Sequence, residues 1–215
     1  MSDDHNDQGP SEARGRFSAA AARARAEEAL RKSEFILSRA WGLLTDPKTE
    51  WDQIRREETT TPAILIGYVA PLAAIPPVCD LIGSLIFNPL ARFEPGDSLV
   101  RVLVTWLVSI GVVYLLGLLI NALADNFDGD RNELAAQKIA AYSLTPAFLS
   151  GFFSLWPPLW WLSLFALAAM VFLIYRGLPI LMKAPPERAV GYTATVTIAA
   201  MVTCIVLFSV AACVT

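Results

Sequence analysis

The stretch LVRVLVTWLVSIGVVYLLGLLINALA, from Leu99 to Ala124, holds a single charge, Arg101. As a helix rising 1.5 Å per residue it exceeds a bilayer core of about 30 Å, which takes roughly 20 apolar residues to cross. Working outward, similar apolar runs cover Pro62–Phe87, Ile139–Leu155, Leu159–Met182 and Val190–Val214. Backbone polar groups in lipid must be satisfied within the segment, so each run reads as a helix. The expected fold class is all-α: a polytopic membrane protein with five transmembrane helices and an N-terminal cytoplasmic amphipathic helical segment.

Charge is distributed to match. Of 215 residues, 55% are hydrophobic and 17% charged. Residues 1–58 hold ten of the 17 Lys and Arg and twelve of the 20 acids. A soluble protein spreads charge over its whole surface; this split describes a polar head on a lipid-solvated body. The net charge of −3 is small and mixed in sign, so nucleic acid is not an expected partner. Residues 1–33 lack the apolar core of a signal peptide. Three parts are expected: a disordered tail over 1–15, a cytoplasmic helical and interfacial segment over 16–58, and a five-helix membrane domain over 59–215.

Arg14, Arg16, Arg23, Arg25, Arg31, Lys32, Arg39, Lys48, Arg55 and Arg56 keep the N-terminus in the cytoplasm, because cationic flanks stay inside. Five crossings then put the C-terminus outside. Arg131, Lys138 and the turn Lys183–Arg188 fall on the inner side, whereas the Trp156–Pro158 turn is outer and uncharged.

Local signals refine the head. Phe35, Ile36, Ala40, Trp41, Leu43 and Leu44 form an apolar face, either lying in the interface with Trp41 at headgroup depth or docked on the body. Asp46 is an N-cap and Pro47 occupies the first helical position, where its missing N–H costs nothing. The helix that follows sets Trp51 and Ile54 on one face. Thr61-Pro62 repeats the device at the first span, and Asp97 or Ser98 caps the second. Pro71, Pro76 and Pro77 kink or break the first span. Pro146 bends the third, where the Tyr142 hydroxyl, one turn earlier, is placed to serve a freed carbonyl. Gly177 permits close backbone approach or a helix stop. On the fifth span Thr195, Ala199 and Thr203 make a small-residue stripe suited to helix contact.

Chemistry is sparse. The one histidine, His5, lies in the head, so no Ser-His, Cys-His or His-metal constellation is available to the body. Asp80 is the acid within an apolar run, read either as a proton or ion site or as a hydrated group near the outer surface. Asp128, Asp130 and Asn132 match the first ligand spacings of a calcium loop. The match then fails at Glu133, where Gly is needed, and at Ile139, where a bidentate Glu is needed. Trp156, Trp160 and Trp161 read as an interfacial belt or an aromatic box. Cys204 is a filler within a span, and a Cys79–Cys213 disulfide is left open. No phosphate loop, paired-Cys motif or nucleotide fingerprint occurs. No catalytic residue, metal, cofactor or small-molecule ligand is therefore expected.

Several short motifs recur in order: Trp41-Gly42-Leu43-Leu44-Thr45-Asp46-Pro47, Glu50-Trp51-Asp52-Gln53-Ile54, and Ala140-Ala141-Tyr142-Ser143-Leu144-Thr145-Pro146. Tyr175-Arg176-Gly177-Leu178 and Lys183-Ala184-Pro185 complete the set. With five spans and a cytoplasmic head, the chain resembles a bacterial member of the Yip1 family over residues 35–213. The resemblance implies a multi-pass protein of the bacterial inner membrane. Eukaryotic relatives are five-span proteins of the early secretory pathway that associate with small GTPases and with one another. Their Asp-Leu-Tyr-Gly-Pro motif is absent here; Tyr68-Val69-Ala70-Pro71 stands in a loosely similar place, and GTPase binding is not carried over.

Three function classes compete. The first is a non-enzymatic protein acting by contact in the bilayer, with itself or other membrane proteins as partners. The second is a transporter or channel component using the kinked first span and Asp80. The third, an enzyme, would have to draw its acid and base from Asp80 or Asp125–Glu133.

Overall fold

A computed structural model describes residues 10–87 and 95–214. Every regular element among them is helical. The chain divides into two compact units, residues 1–39 and Ala40–Thr215. Helix α1 runs Pro10–Thr45, so much of the tail expected over 1–15 lies outside the described residues. Within the first unit the Arg39 guanidinium lies 5.1 Å from the Phe35 ring.

Four helical stretches are long and apolar enough to cross a membrane: Thr61–Phe87, Ser98–Phe127, Pro158–Leu181 and Pro186–Ala212. The protein is thus a multi-pass membrane protein. The third apolar run, Ile139–Leu155, is not among them. It is built from α7 (Glu133–Ser143), α8 (Thr145–Leu149) and a 3-10 turn over Ser150–Leu155. Pro146 interrupts the hydrogen-bond ladder there, so no continuous long helix forms. Burial explains why lipid tolerates the break: Ala135 through Ser143 are all buried. Broken backbone survives at membrane depth when protein surrounds it. Helices α6 (Pro95–Leu123) and α9 (Ser163–Leu181) are its main neighbours, and α10 (Pro186–Val214) packs on both.

The first span is broken by its prolines, as its composition predicts. It comprises α3 (Thr61–Ile64), a π-helical turn (Leu65–Val69), α4 (Ala70–Ala73) and α5 (Ile75–Phe87). The break leaves the Ala70 carbonyl to accept a hydrogen bond from Trp106 Nε1 at 2.7 Å, across from α6. Further out, Gly151 stands where an added Cβ would lie 2.6 Å from Pro76 Cα, and Gly83 meets the Ser154 carbonyl in the same way. Backbone approach this close needs glycine, and it locks α5 onto the 3-10 segment.

Two expected caps shift. Thr60, not Thr61, caps the first span, its hydroxyl accepting from Ala63 N at 3.4 Å. Helix α6 starts at Pro95, which places Asp97 and Ser98 inside its first turn instead of at its cap. Cys79 and Cys204 are free thiols, and the side chain of Cys213 lies outside the described ones.

Candidate functional site

Helix α2 (Pro47–Arg56) carries the motif residues nearest the first span. Asp46 caps it, accepting from Thr49 N at 3.4 Å, and Pro47 opens it. The Thr49 hydroxyl and amide beside it hold the Asp46 carboxyl below the usual carboxylate range. The cap orients a short helix whose Trp51 and Ile54 are fully buried, against α9. The second compact unit begins before α2, and Ala40, Leu43, Trp51 and Ile54 are buried within it.

Gly177 receives Trp51. A Cβ added at Gly177 would lie 3.0 Å from Trp51 Cζ2 and 3.1 Å from Cε2. Helix α9 continues past Gly177 to Leu181, so close approach, not a helix stop, is its role. The edge of Trp51 meets Tyr142 with ring centroids 6.4 Å apart, and Tyr142 meets Tyr68 at 4.7 Å. Edge-to-face geometry sets the positive rim of one ring against the negative face of the next. The three rings lie on α2, the π-helical turn of the first span, and α7, so they tie three separated segments together.

A hydroxyl relay continues from the rings. Pro146 has no N–H, so the carbonyl of Tyr142, four residues earlier, loses its regular helical donor and keeps only the Leu144 amide as a backbone partner. Thr145 Oγ donates to that carbonyl at 2.7 Å. Its single proton is thereby used, so the 2.8 Å contact with Tyr68 Oη has the tyrosine as donor. The expected rescue of a freed carbonyl does occur. Its donor is Thr145 instead of Tyr142, because the freed carbonyl belongs to Tyr142 itself.

Lys138 is the residue that sequence reasoning misplaced. It counts as an inner-loop charge by position, yet it is 4% exposed. Its Nζ donates to the carbonyls of Ile54 and Glu57, both at 2.7 Å, at the C-terminal end of α2. A cation there meets the negative end of the helix dipole, and it supplements the 3.4 Å bond that the Ile54 carbonyl accepts from Glu57 N. Lysine at this place in the α7 pattern offered no signal separable from an ordinary flank.

The remaining polar loop is committed to structure. Asp128 pairs with Arg188 at 3.3 Å, Asp130 with Lys183 at 2.8 Å, and Asn132 caps α7 through Ala135 N at 3.0 Å. The three residues resembling calcium ligands thus each serve a different partner. Asp125 pairs with Arg131, and Phe127 stacks on Tyr192 at 4.8 Å. The Tyr192 hydroxyl donates to the Ile120 carbonyl, which joins α10 to α6. Asp80 stands apart from all of this, exposed on α5. Among the candidate residues, Asp46, Pro47, Tyr142, Pro146 and Gly177 converge on one packed cluster and Asp80 does not.

The family model described as the Yip1 domain matches residues 41–208. "Inner membrane protein YohC" of Escherichia coli strain K12 is 26% identical over 168 residues, covering 74% of this chain and 86% of that protein. The protein of the same description from Escherichia coli O6:H1 matches equally. No solved structure matches. The span of the family match takes in Trp51, Tyr68, Lys138, Tyr142, Thr145 and Gly177, and the chain belongs to the Yip1 family.

Proposed function

We propose that this is a non-enzymatic protein of the bacterial inner membrane that acts through protein contacts in the bilayer, as an organiser or adaptor. One observation carries the reading. The motif cluster is filled by the chain's own side chains: Trp51 is 0%, Tyr68 2% and Tyr142 3% exposed. Its residues hold segments together, and their rings pack against one another at its centre. The proposed contacts are made by the outward surface. The location follows the inner-membrane description of the YohC relative.

The proposed topology has five crossings, with the N-terminus cytoplasmic and the C-terminus outside. Pieces α7, α8 and the 3-10 turn together reach about 36 Å at the rises of α- and 3-10 helices, enough for a bilayer core. That length supports counting the broken segment as a crossing. At the end of α1, Ala40 and Leu43 are buried while Trp41 is 70% and Leu44 47% exposed. We assign the exposed pair to the headgroup layer, where tryptophan is favoured.

The transport reading would have Asp80 line an internal path, and its exposed position does not favour that. Photo-crosslinking in native membranes should capture a defined protein partner. Solute or ion flux through reconstituted vesicles, lost in Asp80→Asn, would overturn the contact reading.

A further inference from the structure

Asp80 and Arg101 are both exposed, on α5 and α6, and both lie inside stretches apolar enough to cross the membrane. Neither side chain has an ion pair or hydrogen bond among the described residues. Ionisable groups within spans normally face the bundle interior, a water-filled cavity or an opposite charge. Arginine carries its charge on a long stem and can reach toward headgroups. Aspartate, with one methylene, cannot.

The two groups lie within side-chain reach in depth. Asp80 lies seven residues before the end of its apolar stretch at Phe87, about 10 Å by helical rise. Arg101 lies three residues after the start of its stretch at Ser98, about 5 Å, and its long stem can cover the difference. These two ends are joined by residues 88–97, so both distances are measured from the same side of the bilayer.

We infer that the chain self-associates in the membrane through the α5–α6 face, with Asp80 of each copy paired to Arg101 of the other. This rests on the contact reading above and names its partner as a second copy. A two-fold axis along the membrane normal preserves depth and makes the interface reciprocal, so one contact yields two ion pairs. Charge complementarity within lipid selects the partner. Each copy supplies one acid and one base within side-chain reach of each other in depth, and neither has a charged partner among the described residues. Ser84, one turn from Asp80, is also exposed.

The test is the oligomeric state of the full chain in lipid nanodiscs and in vesicles at several protein-to-lipid ratios, read by single-molecule photobleaching or native mass spectrometry. Wild type should form a dimer. Asp80→Asn should weaken it by roughly tenfold, the scale of an interhelical polar contact. Asp80→Arg and Arg101→Asp should each give monomers, and the double reversal should restore the dimer. Both positions are exposed in the single chain, so these variants leave its internal packing untouched, and far-UV circular dichroism checks that. A wild type that stays monomeric at every ratio, an Asp80→Arg variant that still dimerises, or a double reversal that does not recover overturns the inference. The wider contact reading fails separately, if crosslinking in native membranes captures no protein at all.

Discussion

Thr145 donates its hydroxyl to the carbonyl of Tyr142 at 2.7 Å, standing in for the amide that Pro146 lacks. One side chain thus permits a proline in the middle of the most buried segment. It also receives Tyr68 from the first span at 2.8 Å. Thr145→Val keeps the shape and removes the hydroxyl, so the Tyr142 carbonyl and the Tyr68 phenol each lose one buried hydrogen bond. At about 0.5–1.5 kcal/mol for each bond, the variant should be less stable. Thr145→Ser should retain most of the stability. Steric-trap or denaturant unfolding in lipid–detergent mixtures measures both.

Gly177 and Trp51 should behave as a coupled pair. Gly177→Ala pushes a methyl against a rigid indole at 3.0 Å, an overpacking that costs about 1–3 kcal/mol. Trp51→Ala empties the site and should cost about 3–5 kcal/mol. Adding Gly177→Ala to Trp51→Ala should then cost nothing further. Additive losses in the double mutant would show that the two do not share one contact.

Lys138→Met removes the cation that bridges α7 to the end of α2. Hydrogen bonds to charged groups contribute about 1.5–3 kcal/mol, so α2 should detach more often than the bundle unfolds. Proteolysis between Glu57 and Thr60, the segment linking α2 to the first span, should accelerate, with little change in total helix content.

The α2 cap gives a pH dependence with a definite sign. The folded-state pKa of Asp46 lies below its unfolded value, because the Thr49 hydroxyl and amide favour the carboxylate. Its stabilisation is therefore present above the ordinary carboxylate pKa and disappears as pH falls through the depressed value. Asp46→Asn should flatten that acid limb. Amide exchange at Thr49, followed from neutral pH downward, reads it directly.

Lys183 and Asp128 adopt left-handed backbone, with φ of 51° and 55°. Such a conformation costs a non-glycine residue roughly 1–2 kcal/mol. The exposed ion pair of Lys183 with Asp130 contributes at most about 1 kcal/mol, and less in salt. Lys183→Gly should therefore be neutral or stabilising by up to about 1 kcal/mol, more so at high ionic strength. A clear loss in thermal stability would show that the pair outweighs the strain.

The membrane class, the helical nature of every segment, four of the long spans and the cap at Asp46-Pro47 were legible from residues 46–214 alone. They depend on local composition, on proline and capping chemistry, and on the length an apolar run must have. The motif residues Tyr142, Pro146 and Gly177 could be singled out by their order in the chain. Their meeting with Trp51 could not, because it joins residues far apart in sequence. Lys138 was misplaced for the same reason: a lone base after a polar loop looks the same whether it faces water or caps a helix from another part of the chain. A bend at Pro146 in the third run was legible from proline alone; that the run divides into α7, α8 and a 3-10 turn, and what surrounds the break, was not, because both depend on packing.

The sequence by itself determined that this chain lives in lipid and folds as helices, since transfer of apolar residues and satisfaction of backbone polar groups are properties of each segment separately. Only the tertiary structure decided that the third segment is broken and central, that Thr145 serves the carbonyl freed by Pro146, and that Asp80 points outward. Those outcomes depend on which surfaces face one another, and that is set by packing between segments that local chemistry does not connect.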